Sequence, residues 1–304
     1  MRLREWGMFV LLGLIWGTSF LWIKIALEEI GPFMLVAIRL LFGVVGLLVV
    51  LRVQRQPLPR DRHTLLSYLF LGAFQTAVPF ILISWGETSV DSALAAILNG
   101  TMPLFTIVIA HFWLHDERIT IPRLIGLVVG FVGVVVLMSR DLGPQALQSS
   151  LLGQLAVLAA AISYAMSATY ARRYVSGQPP VVQSTLVILF ADLMSWLALL
   201  AFERPLVIPV RPLTWLALAW LGLLGSCLAY MLYYTLLNSW GATRASLVTY
   251  VLPLIGLLLG VIFLDEQLDW QLAVGSALVL AGIGVVNVRR PQRAVLPASV
   301  GGED

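Results

Sequence analysis

The sequence is dominated by long apolar stretches that follow one another with only short polar segments between them. A helix needs about 20 mostly apolar residues to cross the hydrocarbon core of a bilayer. This chain of 304 residues is 60% hydrophobic and only 12% charged, which is more apolar surface than a soluble protein of this size can cover. The sequence therefore predicts an all-α membrane protein with ten transmembrane helices. The expected spans are residues 6–28, 33–52, 65–87, 92–114, 120–138, 151–172, 180–202, 214–238, 243–264 and 270–288.

Arginine residues are distributed unevenly between the two sets of connecting segments. If both termini are cytoplasmic, the inner segments hold 14 arginines and the outer loops hold 3. The positive-inside rule then predicts an even number of spans in the inner (plasma) membrane, with both termini in the cytoplasm. The net charge of +3 is explained by these flanking residues, so we expect no nucleic-acid partner. Residues 291–304 are rich in Ala, Pro, Ser and Gly and are predicted to form a disordered cytoplasmic tail.

The two halves of the chain share a pattern of proline, acidic residue and glycine. The shared positions lie 149 or 150 residues apart, which predicts one repeat over residues 1–140 and a second over residues 150–290. Each repeat has an odd number of helices, five, so the two must insert with opposite orientation around a central cavity. Inverted repeats of this kind are typical of secondary transporters. The matched pairs are Leu71-Gly72 with Leu221-Gly222, Pro103 with Pro253, Glu117 with Glu266, and Gly126 with Gly275.

The first two spans add a more specific pattern. Gly13-Leu-Ile-Trp16-Gly17-Thr-Ser-Phe20 lies in the first helix, and Gly31-Pro32 precedes Arg39 in the second. Together with the two copies of the proline, Asp-Glu and glycine pattern, the chain resembles the EamA-type family of the drug/metabolite transporter superfamily. The resemblance implies ten helices, cytoplasmic termini, a cavity between the repeats and export of small metabolites. It does not identify the solute.

Two prolines near the middle of helices 4 and 9 mark the predicted substrate site. Pro103 and Pro253 have no N–H to donate, so carbonyl groups one turn back lose their usual partner. Such groups are tolerated where they line a cavity or contact other helices. Asn99, Thr249 and Tyr250 lie beside these interruptions and are predicted to bind substrate with them. The alternative is that both prolines only bend their helices for packing.

Aromatic and polar side chains at helical spacing extend the predicted site. A cavity with such walls suits an amphipathic or aromatic solute. The alternative is a belt of aromatic residues at the lipid headgroups. The candidates are Trp16 on helix 1, Gln75 on helix 3, Tyr164 on helix 6, and Tyr230 and Tyr234 on helix 8.

Charged residues inside or near the ends of spans are candidates for ion coupling. A charge at the membrane centre costs about 2.5–3.5 kcal/mol on insertion scales, so it usually has a partner or faces water. Asp192 and Arg39 are each predicted to serve either proton coupling or an ion pair. Lys24 and Glu87 are close enough to a helix end to reach the interface.

Several other residues are predicted to have structural roles. The acidic pairs before helices 5 and 10 favour the positive end of the helix that follows them. Thr120 and Asp269 are the predicted N-caps of those helices. The glycines of helices 5 and 10 permit close helix approach, which leaves packing within the chain or a homodimer open. The acidic pairs are Asp116-Glu117 and Asp265-Glu266, and the glycines are Gly126, Gly130, Gly133, Gly275, Gly282 and Gly284.

These features favour a secondary exporter that moves amino acids or amphipathic drugs by alternating access and is not an enzyme. The alternatives are a membrane-embedded enzyme and a lipid-handling membrane protein. The sequence has no HExxH or Walker motif and one cysteine, Cys227, so we expect no metal and no cofactor. The expected partners are a small-molecule substrate and the lipid bilayer.

Overall fold

The structure, a computed structural model, describes residues 3–113, 119–139, 149–175, 178–240, 248–249 and 251–287. Helices dominate these residues, and no β-strand occurs among them. The helices are α1 (Leu3–Leu27), α2 (Pro32–Val53), α3 (Arg62–Gly86), α4 (Ser92–Trp113), α5 (Ile121–Met138), α6 (Ser149–Tyr174), α7 (Pro180–Phe202), α8 (Pro212–Trp240), α9 (Val251–Phe263) and α10 (Trp270–Asn287).

Helices α1 to α8 are each long and apolar enough to cross a membrane. The apolar stretches described for α9 and α10, Val251–Phe263 and Trp270–Val285, are shorter. The chain is thus an all-helical, multi-pass membrane protein, whereas the count of ten spans stays a prediction. The predicted start of helix 9 and the tail 291–304 lie outside the described residues.

Glutamates at one end of the bundle cap helices that are distant in sequence. Glu203, which follows α7, accepts hydrogen bonds from the N–H groups of Phe33 and Met34 at the start of α2, at 2.8 and 3.3 Å. Glu29, which follows α1, accepts hydrogen bonds from the N–H groups of Val210 and Arg211, directly before α8, and from the hydroxyl of Thr214 in its first turn. The first N–H groups of a helix have no partner within it, so a carboxylate there satisfies them and interacts favourably with the helix dipole.

Glu266 provides a third contact of this kind and corrects one prediction. Its carboxylate accepts hydrogen bonds from the N–H groups of Ser92 (2.7 Å) and Ala93 (2.9 Å). It therefore caps α4, not α10 as predicted. Asp269 does cap α10, because its Oδ1 accepts from the N–H of Leu272 at 2.9 Å. Thr120 is the N-cap residue of α5, as predicted, but its side chain makes no capping hydrogen bond.

We call the end of the bundle that holds Glu29, Glu203 and Glu266 the glutamate end. The opposite end, where α1 begins and α8 ends, is the arginine-rich end. There the indole of Trp240 donates a hydrogen bond of 2.8 Å to Glu5 and packs against the ring of Trp6 at 5.2 Å.

The glycines of α5 and α10 pack these two helices against each other. A Cβ on Gly133 would lie 2.9 Å from the carbonyl oxygen of Gly275, and a Cβ on Gly282 would lie 2.6 Å from that of Gly126. The two backbones are therefore in direct contact. Gly130, Gly133, Gly275 and Gly282 are used for packing within the chain, whereas Gly284 has open space beside it.

Helices α3 and α8 each contain a wider, π-helical segment at matched positions of the two halves. The segments are Gly72–Ala77 and Trp220–Leu228, and Gly72 and Gly222 are one of the pairs 150 residues apart. Gly72 lies against Phe190 of α7, and Gly222 lies against Phe42 of α2. In a duplicated five-helix unit, α3 corresponds to α8 and α2 corresponds to α7. A contact between α3 and α7 is then expected to have a counterpart between α8 and α2.

Gly282→Val is expected to destabilise the α5–α10 pair. The new side chain would meet backbone atoms of α5, which cannot move aside, and overpacking costs about 1–3 kcal/mol. The matched control is Gly284→Val on the same helix, where an added Cβ meets nothing within 4 Å. Thermal unfolding in detergent should show a lower Tm for Gly282→Val alone. Equal Tm values for the two variants would contradict this packing.

The Glu29 cap predicts a pH dependence of stability. The Thr214 hydroxyl, which donates to Glu29, has the largest effect in lowering the pKa of this carboxyl below its ordinary value of 4.5. Partial burial opposes that effect, and the N–H groups of Val210 and Arg211 add to it. A lowered folded-state pKa means that Glu29 stabilises the fold above pH 4.5, and that this contribution is lost as the pH falls through the folded-state pKa.

We therefore expect Glu29→Gln to lose less stability than the wild type when the pH is lowered from about 7 to about 3. Tm measured across this range provides the test. Glu28→Gln is the control, because its ion pair with Arg211 is exposed and contributes little. Parallel pH curves for wild type and Glu29→Gln would show that the cap has no such role.

Candidate functional site

A cavity of about 400 Å³ lies between the helices of the two halves. At the arginine-rich end its lining includes Arg123, Val175 and Asn238. Toward the other end its lining on α1 and α3 stops at Ile23 and Ile83, about one turn before the glutamate end. The cavity therefore reaches one end of the bundle. Its volume is within the range of small-molecule sites, roughly 300–1,000 Å³.

Most of the predicted substrate residues line this cavity. Pro253 is not among the lining residues; its ring instead packs against Gly100 of α4, 2.5 Å from the position of a Cβ there. Tyr250 lies outside the described residues, and Asp192 does not line the cavity. The predicted residues that do line it are Trp16, Gln75, Asn99, Pro103, Tyr164, Tyr230, Tyr234, Thr249 and Arg39.

One wall of the cavity is aromatic. The ring of Trp16 lies 6.1 Å from that of Tyr230 and 5.5 Å from that of Tyr233. Phe80 and Tyr230 form an edge-to-face pair at 6.5 Å. These rings come from α1, α3 and α8 and face the interior of the bundle. For Trp16 and Tyr230, lining a cavity describes their position better than a belt at the headgroups.

The tyrosine hydroxyls of α8 hold the π-helical segment of α3 in place. Tyr234 donates to Gln75 Oε1 at 3.0 Å, and Tyr230 donates to the carbonyl oxygen of Gln75 at 3.2 Å. The hydroxyls of Tyr230 and Thr76 also share a hydrogen bond of 2.8 Å. A π-helical turn disturbs the regular backbone bonding, and these side chains supply partners for it. Thr76 was not predicted, because its neighbours come from the other half of the chain.

Helix α4 is interrupted at Gly100 and Thr101, directly before Pro103. The proline has no N–H, so the regular hydrogen bonding cannot continue through it. The Oδ1 atom of Asn99 is buried beside this interruption and has no hydrogen-bond partner among the described residues. Gly100 contacts Pro253, so the interruption of α4 packs against α9, and of the two matched prolines only Pro103 lines the cavity.

Arg39 places a cation in the wall of the cavity. Its side chain is only 3% exposed, and its guanidinium carbon lies 4.1 Å from the centroid of the Phe80 ring. No hydrogen bond or ion pair to the guanidinium occurs in the described part of the chain, and Nε is buried without a partner. The predicted ion pair of Arg39 is therefore not formed in this conformation.

Asp192 has a different environment. It is 6% exposed on α7, and its carboxylate accepts a hydrogen bond of 3.1 Å from the indole of Trp196, one turn further along the same helix. Its role in coupling or in an ion pair stays a prediction.

Lys24 and Glu87 lie close to the ends of their helices, as predicted, and meet at the turn between α3 and α4. The ammonium group of Lys24 donates hydrogen bonds of 2.8 Å to the carbonyl oxygens of Glu87 and Val90, between α3 and α4. The side chain of Glu87 is fully buried, and neither carboxylate oxygen has a hydrogen-bond partner among the described residues. Lys24 thus connects α1 to the turn that precedes α4 at the glutamate end.

The described residues contain no group of three or more His, Cys, Asp or Glu side chains that could hold a metal ion. Cys227 is buried and does not line the cavity. The lining of the cavity offers aromatic rings, hydrogen-bonding groups and two arginine side chains, Arg39 in its interior and Arg123 at the arginine-rich end.

Comparison with a known fold supports this architecture. A crystal structure of another protein superposes with a TM-score of 0.68 at 22% identity, over 94% of this chain and 98% of that one. At this level of identity the likeness concerns the fold alone.

Sequence comparison identifies the family. A protein named uncharacterized transporter YoaV from Bacillus subtilis (strain 168) is 27% identical over 89% of this chain and 92% of its own length. A probable amino-acid metabolite efflux pump from Escherichia coli (strain K12) is 26% identical over 95% of this chain and 96% of its own. The sequence model of the EamA-like transporter family matches twice, at residues 5–139 and 151–288. The chain therefore belongs to the EamA-like transporter family.

Proposed function

We propose that this transporter exports small metabolites, such as amino acids or amphipathic drugs, by alternating access and without covalent chemistry. The observation that carries the proposal is the 400 Å³ cavity, which lies within a membrane-spanning bundle and, among the described residues, is lined at the arginine-rich end but not at the glutamate end. A cavity accessible from one side is what one state of an alternating-access cycle requires.

The contacts at the glutamate end support such a cycle. The capping bonds from Glu266 to α4 and the Lys24 bonds between α1 and the turn before α4 are non-covalent. In the proposed cycle they break when the cavity opens toward the glutamate end, while the arginine-rich end closes. In the proposed cycle, each half takes up the helix arrangement that the other half has in the opposite state. The matched π-helical segments of α3 and α8 support this exchange.

The direction of export follows from the orientation that the positive-inside rule predicts. In that orientation the arginine-rich end faces the cytoplasm of a cell with the protein in its inner membrane, and both termini are cytoplasmic. The cavity then faces the cytoplasm and can load a solute from it. The names of relatives, among them the amino-acid metabolite efflux pump of E. coli, also favour export, and they are the names of transporters rather than enzymes.

The proposal is tested with purified protein in proteoliposomes and a panel of radiolabelled amino acids and cationic drugs, with and without a pH gradient. We expect flux of at least one solute above that of protein-free liposomes. Absence of flux for every solute, together with a measurable hydrolytic activity, would reject a transporter in favour of a membrane-embedded enzyme.

Trp16→Ala and Asn99→Ala test the cavity as the solute path. Each is expected to lower the rate of flux about 10-fold, because an aromatic contact or a buried hydrogen bond with solute is lost. Trp270→Ala is the control for the tryptophan variant, since Trp270 is 63% exposed on α10 and does not line the cavity. Unchanged flux in both cavity variants, at equal yield and Tm, would place the solute path elsewhere.

A further inference from the structure

Arg39 brings a positive charge into the cavity without a counter-ion among the described residues. Buried cations within a membrane usually pair with an acid or with backbone carbonyls. Here the guanidinium has only the face of Phe80 at 4.1 Å and electrostatic interactions with Tyr164, Tyr230 and Glu87. A cation–π contact offsets only part of the cost of removing a guanidinium from water. Arg39 therefore retains capacity to bind an anion.

The neighbour of the guanidinium on α8 is a glycine, so no side chain from that position covers it. Gly225 of α8 lies next to it, and the atoms nearest to a Cβ built there would be Nη2 of Arg39 and Oγ of Ser19, each at 3.6 Å. Ser19 and Arg39 both line the cavity. An anionic group of a solute can therefore approach the guanidinium from the cavity.

The other walls of the cavity indicate which further chemical groups a bound solute would carry. The aromatic wall at Trp16 and Tyr233 suits an apolar or aromatic body. The buried Oδ1 of Asn99, which has no partner among the residues described, is a hydrogen-bond acceptor and suits a donor group. A solute that carries a carboxylate, a donor such as an ammonium group, and an apolar side chain matches Arg39, the Oδ1 atom of Asn99 and the aromatic wall in turn.

We propose that Arg39 binds the carboxylate of the transported solute, so that the cavity selects amphipathic acids, above all apolar and aromatic α-amino acids, over cationic drugs. The planar guanidinium matches a carboxylate through two parallel hydrogen bonds. The carboxylate of an α-amino acid would lie against the guanidinium, and its ammonium group would have the Oδ1 atom of Asn99 as an acceptor. This inference rests on the proposed function and narrows its list of solutes.

The competing explanation is that Arg39 is structural and pairs with Glu87 in another conformation of the bundle. Glu87 also interacts electrostatically with Lys24 and Glu266, so it has other charges nearby. Under this explanation Arg39 would contribute to stability and would not distinguish between solutes. Solute selectivity therefore separates the two explanations.

The test measures binding and flux of three matched pairs: phenylalanine with phenylalaninamide, tryptophan with tryptophanamide, and leucine with leucinamide. Each amide keeps the side chain and the amino group and loses the carboxylate charge. Binding is measured by calorimetry with the full-length protein in detergent, and flux by counterflow in proteoliposomes. For at least one pair we expect the wild type to favour the acid about 10- to 100-fold, as expected for a hydrogen bond to a charged group.

Arg39→Gln is expected to abolish the preference for the acid, and Arg39→Lys to retain part of it, because lysine keeps the charge without the planar geometry. Arg52→Gln is the control, since Arg52 is exposed at the far end of the same helix. The preference within a pair is a ratio, so a general loss of stability does not imitate the effect. If Arg39→Gln does not fold, the wild-type preference and Arg39→Lys decide the question.

Equal binding of acid and amide by the wild type in all three pairs would overturn the inference, as would a preference that persists in Arg39→Gln. Flux of a cationic drug that does not depend on Arg39 would also overturn it, while the proposed transport function would stand. Absence of flux for every solute would instead reject the proposed function, and the calorimetric pairs would still report on the anion site.

Discussion

Hydrocarbon offers no hydrogen-bond partner to the peptide backbone, and this constraint decides where the helices of this protein can be irregular. Each unsatisfied backbone group in lipid costs several kcal/mol, so a break in a helix is tolerated only where protein or a cavity surrounds it. The interruption of α4 at Gly100 faces the cavity and Pro253. The π-helical segment of α3 receives hydrogen bonds from Tyr230. The irregular segments of these two helices thus coincide with the candidate site.

The need of backbone N–H groups for hydrogen-bond partners also applies at the ends of the helices, where the proposed cycle requires contacts to change. Glu203 and Glu266 accept hydrogen bonds from the first N–H groups of α2 and α4, and Glu29 accepts them from the residues directly before α8. These contacts hold helices of the two halves together at one end, while the cavity reaches the other. In a cycle that opens the cavity first on one side and then on the other, these N–H groups have to leave their glutamate partners and find others.

The chemistry of the site also depends on which half supplies each group. The Trp16, Arg39 and Asn99 side chains come from the first half of the chain, and Tyr164, Tyr230 and Tyr234 from the second. The sequence already indicated these residues, because aromatic groups at helical spacing, a polar group beside a proline and a charge inside a span are each unusual in membrane helices. It could not show that Lys24 meets the carbonyls of Glu87 and Val90, since that contact joins separate helices.

The amino-acid sequence by itself determined that this chain enters a membrane, that its helices are long and apolar, and that its halves share a pattern. Each of these depends on local composition and spacing, which can be read directly from the amino-acid sequence. Only the tertiary structure decided that Glu266 caps α4, that Pro253 packs against Gly100 and that Arg39 has no carboxylate in contact with it among the described residues. These facts depend on contacts between residues that are far apart in the chain, and the packing of whole helices sets such contacts.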